Sequence, residues 1–140
     1  MIRVLFLCVH NSARSQIAEG LLRAMAGERV QVSSAGSAPS RVHPLAIRAL
    51  QERDIDIAQQ RSKSVDEFAS DHFDYAITLC AEEVCPVFLR AKSRLHWALP
   101  DPSAVEGDSD ARLDAFRRTA DEIEIHLREF LKDIDIRLQR

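Results

Sequence analysis

The stretch Ile2-Arg3-Val4-Leu5-Phe6-Leu7-Cys8-Val9-His10-Asn11-Ser12-Ala13-Arg14-Ser15-Gln16-Ile17 decides the fold. An apolar run closes at Cys8, a polar loop follows, and an apolar pattern resumes at Ile17-Ala18 and Leu21-Leu22, which reads as strand, loop and helix. The loop therefore stands at the carboxyl end of a strand, where open α/β sheets bind their ligands. Backbone N–H groups from Val9, His10, Asn11, Ser12, Ala13, Arg14 and Ser15 converge there with the dipole of the first helical turn, and Arg14 adds a planar fork for two oxygens. That is a cradle for an oxyanion. Cys8 sits at its base, and a field that holds an oxyanion also favours a thiolate, so Cys8 reads as a nucleophile rather than a small core residue. Asn11 tolerates the left-handed backbone such a loop requires, while Ser15 can donate to the sulfur or cap the helix.

Downstream the chain alternates. Val30-Gln31-Val32-Ser33-Ser34 predicts a second strand, Pro44 opens a helix running to about Arg53, Ser64 caps a turn over Val65 to Phe68, and Phe73 to Leu79 predicts a third strand ending at Cys80. Leu95-His96-Trp97 predicts a fourth. From Asp110, Leu113, Phe116, Ala120, Ile123, Leu127, Phe130 and Ile134 recur at steps of three and four, a long amphipathic helix. Strands alternating with helices predict an α/β fold of three layers, a four-stranded parallel sheet with helices on both faces. Cys8 and Cys80 then emerge at the same edge of the sheet.

A length of 140 residues fits a single catalytic domain over 1–140. The net charge is −3, with both signs interspersed, which offers no basic face for nucleic acid and no polybasic membrane anchor. The N-terminal apolar run is broken by Arg3 and is too short for a signal peptide's core, so a cytoplasmic protein is expected. Three cysteines in a reducing compartment do not make a disulfide framework; they point to redox or metal chemistry.

Cys80 and Cys85 are separated by four residues, Ala81-Glu82-Glu83-Val84. Zinc normally wants four ligands in paired spacing, and His72 and His96 supply no such pattern, so no metal is expected. On a short helix or mobile loop the two thiols reach bonding distance only after local rearrangement. Leu99-Pro100-Asp101-Pro102 locks an acid between prolines. It reads equally as a turn and as a proton donor at a cleft rim. His96 and Trp97 read equally as a cleft wall and as core packing.

Together, Cys8 with Arg14-Ser15-Gln16, Ser33-Ser34-Ala35-Gly36, Val42-His43-Pro44, Thr78-Leu79-Cys80, Cys85-Pro86, His96-Trp97 and Asp101-Pro102 resemble the arsenate reductases built on the low-molecular-weight tyrosine phosphatase fold, in order and over nearly the whole chain. The resemblance implies a relay of three thiols without a cofactor. Cys8 attacks arsenate held by the loop and Arg14, and Asp101 protonates the departing hydroxyl. Cys80 then attacks Cys8 as arsenite leaves, and Cys85 attacks Cys80, presenting a Cys80–Cys85 disulfide to thioredoxin or another dithiol or thiol reductant. Action as a monomer is expected. Many relatives have more residues between the second and third cysteines, so the last exchange is expected to differ in geometry. Some relatives hold a potassium ion beside the loop; the matching positions are Asn11, Glu19, Ser34 and Lys63, and with Ser15 these form the expected loop support. A lysine stands in place of a carboxylate, so the Lys63 ammonium is expected to take the potassium position.

Two rivals share parts of this pattern. A phosphatase would use Cys8, Arg14 and Asp101 on a phosphomonoester, but tyrosine-specific relatives carry aromatic residues after Asp-Pro, where this chain has Ser103-Ala104. A thiol protein that sequesters arsenite or zinc has no use for Arg14 or Asp101.

Overall fold

The computed structural model describes residues 1–81 and 84–134, so Glu82 and Glu83 of the two-cysteine segment lie outside the described residues. Four parallel strands form one sheet: β1 (Ile2–Cys8), β2 (Val30–Gly36), β3 (Phe73–Thr78) and β4 (Ala91–His96), in the order β2-β1-β3-β4. The α-helices are α1 (Arg14–Ala26), α2 (Pro44–Gln51) and α3 (Ser109–Asp133), with 3-10 turns at Gly27–Arg29, Val65–Phe68 and Pro102–Ala104. The register aligns Cys8 with Gly36, Leu7 with Thr78, and Thr78 with His96, which brings the functional ends of the strands level.

Alternation along β1 divides the core. Val4 and Phe6 face the three α-helices, meeting Ile17, Leu21 and Leu22 of α1, Leu50 of α2, and Phe116, Ile123 and Leu127 of α3. Leu5 and Leu7 face the other way, under Phe73, Ala76 and Phe88, with Val65 and Phe68 packed alongside. Both faces are covered, as expected, but unequally: three α-helices lie on one and only the Val65–Phe68 turn and the Phe88 loop on the other.

Several boundaries differ from the sequence reading for local reasons. β4 begins at Ala91 and ends at His96 because it is an edge strand, so Lys92, Ser93 and Arg94 are exposed and break the apolar alternation that marks a strand. α1 begins at Arg14, with Ala13 at its N-cap and no side-chain cap, because the Ser15 hydroxyl is committed to the cysteine. α2 stops at Gln51, where Asp54 turns the chain with φ of 60°. At α3 the Asp108 carboxylate accepts from the Ala111 N–H at 2.9 Å. No helix among the described residues is long and apolar enough to cross a membrane.

Candidate active site

The loop from Val9 to Ala13 is shaped by what its carbonyls bond to. The Val9 oxygen accepts from Ala38 N at 2.9 Å, His10 from Ser40 N at 3.2 Å and Ser62 Oγ at 2.9 Å, and Ser12 from His43 N at 2.9 Å. The Asn11 oxygen accepts from Gln16 Nε2 at 3.0 Å. These bonds tie the loop's carbonyls to the segments around it, so they do not compete for its N–H groups. Asn11 takes φ of 48°, the left-handed value expected of it. Gly36, opposite, leaves no room for more: a Cβ there would stand 2.4 Å from Val9 O and 2.9 Å from Asn11 N.

Cys8 ends β1 with 2 % of its surface exposed, a free thiol whose Sγ lies 2.8 Å from Ser15 Oγ. Asn11 Nδ2 donates to Ser15 Oγ at 2.8 Å and to Ser34 Oγ at 2.9 Å, so Ser15 Oγ already accepts one N–H and keeps its own proton to give to the sulfur. Arg14 is buried at 4 % exposure and donates from Nη1 to Leu99 O at 2.9 Å, which fixes the guanidinium against the loop that carries Asp101. A cavity of about 290 Å³ opens here, lined by Cys8, Arg14, Asp101, Ser12, Ser40 and Ser103, with His10 at its exposed rim. Among the described residues its lining includes no Phe, Tyr or Trp. Asp101 Oδ1 accepts from Ser103 N at 2.9 Å and Ser103 Oγ at 2.7 Å, which fixes the carboxyl group at the edge of the cavity.

Behind the loop lies a buried polar cluster. Ser34 Oγ donates to Glu19 Oε1 at 2.6 Å, and the Lys63 ammonium stands 3.6 Å from the same oxygen and donates to Arg61 O at 2.8 Å. Lys63 N and Gln16 Nε2 both donate to Asn11 Oδ1 at 2.8 Å. Burial pushes the Lys63 pKa down, and Glu19 opposes that shift. A potassium ion does not fit this donor set: Asn11 Oδ1 already accepts two N–H groups and a fixed ammonium faces Glu19, so a second cation would meet like charge. Among the described residues no cluster of three or more His, Cys, Asp or Glu side chains is placed to hold a metal ion.

Cys80, buried, and Cys85, half-buried, are joined by a disulfide with Cα atoms 5.7 Å apart, and the Cys80 N–H points at Cys85 Sγ at 3.3 Å. The four intervening residues thus suffice for closure. Trp97 does not line the Cys8 cavity; it packs on Phe6 and Phe130 and stacks on His126 at 5.0 Å, so of its two readings core packing holds. His43 caps α2 by accepting from Leu45 N at 3.0 Å, and burial, with Arg112 and Arg41 nearby, lowers its pKa. Arg61 is engaged with Glu67, away from the cavity. Ser40 and Ser103 line the cavity without having been foreseen. Ser103 had a signal, since a serine two places after an aspartate often closes a turn on it; Ser40 had none.

The sequence matches the low molecular weight phosphotyrosine protein phosphatase family over residues 3–140. It is 39% identical over 129 residues to an arsenate reductase of Halalkalibacterium halodurans, covering 91% of this chain and 93% of that protein. Its fold is similar to that of an arsenate reductase from Archaeoglobus fulgidus, with TM-score 0.78, 33% identity, and 92% and 98% of the two chains covered. It is also similar to a thioredoxin-dependent arsenate reductase of Corynebacterium glutamicum, with TM-score 0.75, 35% identity, and 96% and 62% covered.

Proposed function

The chain belongs to the low molecular weight phosphotyrosine protein phosphatase family, and from that premise we propose that it is an arsenate reductase that passes two electrons to arsenate through Cys8, Cys80 and Cys85. One arrangement carries the reading: Cys8 is a free thiol in an oxyanion cradle while Cys80 and Cys85 are already bridged. That is the state a relay reaches after its last internal exchange.

The proposed steps use the groups that the cavity and the disulfide bring forward. The Cys8 thiolate attacks arsenic, Arg14 and the loop N–H groups hold the remaining oxygens, and Asp101 gives a proton so that the displaced oxygen departs as water. Cys80 attacks Cys8 Sγ; the sulfur–arsenic bond breaks, its electron pair stays on arsenic, and arsenite leaves behind a Cys8–Cys80 disulfide. Cys85 then attacks Cys80, Cys8 departs as a thiolate received by the Ser15 hydroxyl, and an external dithiol of the thioredoxin kind reduces the Cys80–Cys85 bond. A reducing cytoplasm is where such a cycle runs. Asn11, Glu19, Ser34 and Lys63 act as positioning residues, with the Lys63 ammonium serving in place of a potassium ion. A cavity of about 290 Å³ with no Phe, Tyr or Trp among its described lining residues suits a small inorganic anion better than a phenyl phosphate.

The test is arsenite formation with thioredoxin recycling, run on the wild type and on Cys8→Ser, Cys80→Ser and Cys85→Ser. Loss of turnover in all three supports the relay. Hydrolysis of a phosphomonoester that needs Cys8 alone, with no arsenite formed, would place the chain among the phosphatases.

A further inference from the structure

Asn11 belongs to a closed ring of six side chains, each joined to the next by a hydrogen bond. Asn11 Nδ2 donates to Ser34 Oγ at 2.9 Å, Ser34 Oγ to Glu19 Oε1 at 2.6 Å, and Arg23 Nη2 to Glu19 Oε2 at 2.8 Å. Arg23 Nη1 donates to Gln60 Oε1 at 3.0 Å, Gln60 Nε2 to Gln16 Oε1 at 2.7 Å, and Gln16 Nε2 to Asn11 Oδ1 at 2.8 Å. Gln16, Glu19 and Arg23 follow one another at steps of three and four, which puts them on one face of α1. Groups with a single role orient each amide. Gln16 Nε2 also meets the Asn11 and Arg61 carbonyls, and Gln60 Nε2 meets the Gln16 carbonyl. Gln60 Oε1 meets a guanidinium that only donates, and Asn11 Oδ1 meets the Lys63 backbone N–H. The ring therefore has one donor order, and its branch from Asn11 Nδ2 through Ser15 Oγ runs to the sulfur of Cys8.

Arg23 is the outermost member. Its side chain is 49 % exposed, while the Glu19 side chain that it binds is 6 % exposed. The two cations beside Glu19 act differently. The Lys63 ammonium, 3.6 Å from Oε1, supplies charge and spends a hydrogen bond on Arg61 O, whereas Arg23 gives Oε2 a hydrogen bond and ties the carboxylate to Gln60 and to Val32 O at 3.3 Å. A buried carboxylate that loses such a donor turns toward another or draws in water. With Oε2 released, Oε1 no longer has a fixed place for the Ser34 proton, and the Asn11 amide loses its anchor on that side.

Resting on the reading of Cys8 as the attacking thiol, we propose that Arg23 is a positioning residue for Cys8, acting through Glu19, Ser34, Asn11 and Ser15 on the hydrogen bond that receives the thiolate. As an ordinary surface pair at positions i and i+4, Arg23 and Glu19 would contribute little to stability and nothing to the thiol.

The experiment reads Cys8 by itself. In full-length protein carrying Cys80→Ser and Cys85→Ser, Cys8 is the sole thiol. Its alkylation by iodoacetamide is followed from pH 5 to pH 10 in this parent, in Arg23→Met and in Arg23→Lys, with thermal unfolding recorded alongside. The expected result is a rate about three- to tenfold lower at pH 6 in Arg23→Met, converging with the parent at high pH while the unfolding temperature barely moves. Arg23→Lys, which keeps a donor for Glu19, should restore most of the rate. In a Ser15→Ala background Arg23→Met should make no further difference, because the path to the sulfur is already cut. Superimposable pH profiles overturn the proposal. So does a deficit of the same size in the Ser15→Ala background, which would make Arg23 a distant charge and not a support. Because no arsenic enters this assay, its failure is distinct from a failure of arsenite formation, which tests the relay.

Discussion

Ser15 Oγ lies 2.8 Å from Cys8 Sγ while Asn11 Nδ2 donates to the same oxygen at 2.8 Å, so the hydroxyl is placed to give its proton to the sulfur once that sulfur is a thiolate. A hydrogen bond to an ionised group contributes about 1.5–3 kcal/mol. Ser15→Ala should therefore slow the first chemical step by about tenfold to a hundredfold while leaving the fold intact. Rapid-quench measurement of arsenite in a single turnover checks this; an unchanged rate removes Ser15 from the mechanism.

Asp101→Asn keeps the turn, since an amide oxygen also accepts from Ser103, but it cannot deliver a proton. Loss of a general acid typically costs about 10²- to 10⁴-fold. Steady-state kinetics should show that loss in kcat with little change in KM, because Arg14 and the loop still bind the anion.

The Lys63 position predicts how the protein answers alkali ions. Replacing potassium with sodium should leave wild-type turnover unchanged. Lys63→Asp removes the ammonium and supplies an oxygen donor next to Glu19 and Ser34, so that variant should gain activation by potassium. Activity assays at constant ionic strength decide it, and strong activation of the wild type would refute the assignment.

His43 gives a pH dependence whose sign follows from its environment. Burial lowers its native pKa below the ordinary 6.5, so between the two values the unfolded chain holds a proton that the native chain does not. Its contribution is whole above 6.5 and is lost as pH falls through the lower native value, where protonating Nδ1 also sets N–H against the Leu45 N–H. Asn at this place caps without titrating. Urea midpoints at pH 7.5 and pH 5.5 should drop further in the wild type than in His43→Asn.

Gly36→Ala tests the close approach of β2 to the loop. The added carbon meets backbone oxygen and nitrogen rather than a side chain that can swing away. About 1–3 kcal/mol of destabilisation is expected from such overpacking, read by thermal unfolding. Arsenite production should fall by more than the folded fraction does.

The site was legible in the sequence wherever chemistry and strand ends coincide. Cys8, Arg14 and Asp101 meet in one cavity, and Cys80 meets Cys85, because each lies at or just beyond a strand's carboxyl end. Less legible was whatever depends on an edge or on a bond between distant residues. The start of β4 hid behind Lys92-Ser93-Arg94, and the Arg14 bond to Leu99 spans 85 positions. Thr78 and His96 face each other only through parallel register, which no local pattern reveals.

The outward-tied carbonyls of the Val9–Ala13 loop mean that the cradle is built before its guest arrives. A mould of that kind recognises a tetrahedron of oxygens and a negative charge, and those traits belong equally to phosphate and sulfate. On the proposed relay admission is indiscriminate, and choosiness comes later, when a thiol pulls on the central atom: arsenic yields by accepting two electrons, whereas phosphorus and sulfur at their highest oxidation states do not. The commoner anions should behave as visitors that delay the enzyme without being transformed, so its pace in a cell is set by how much of them surrounds it.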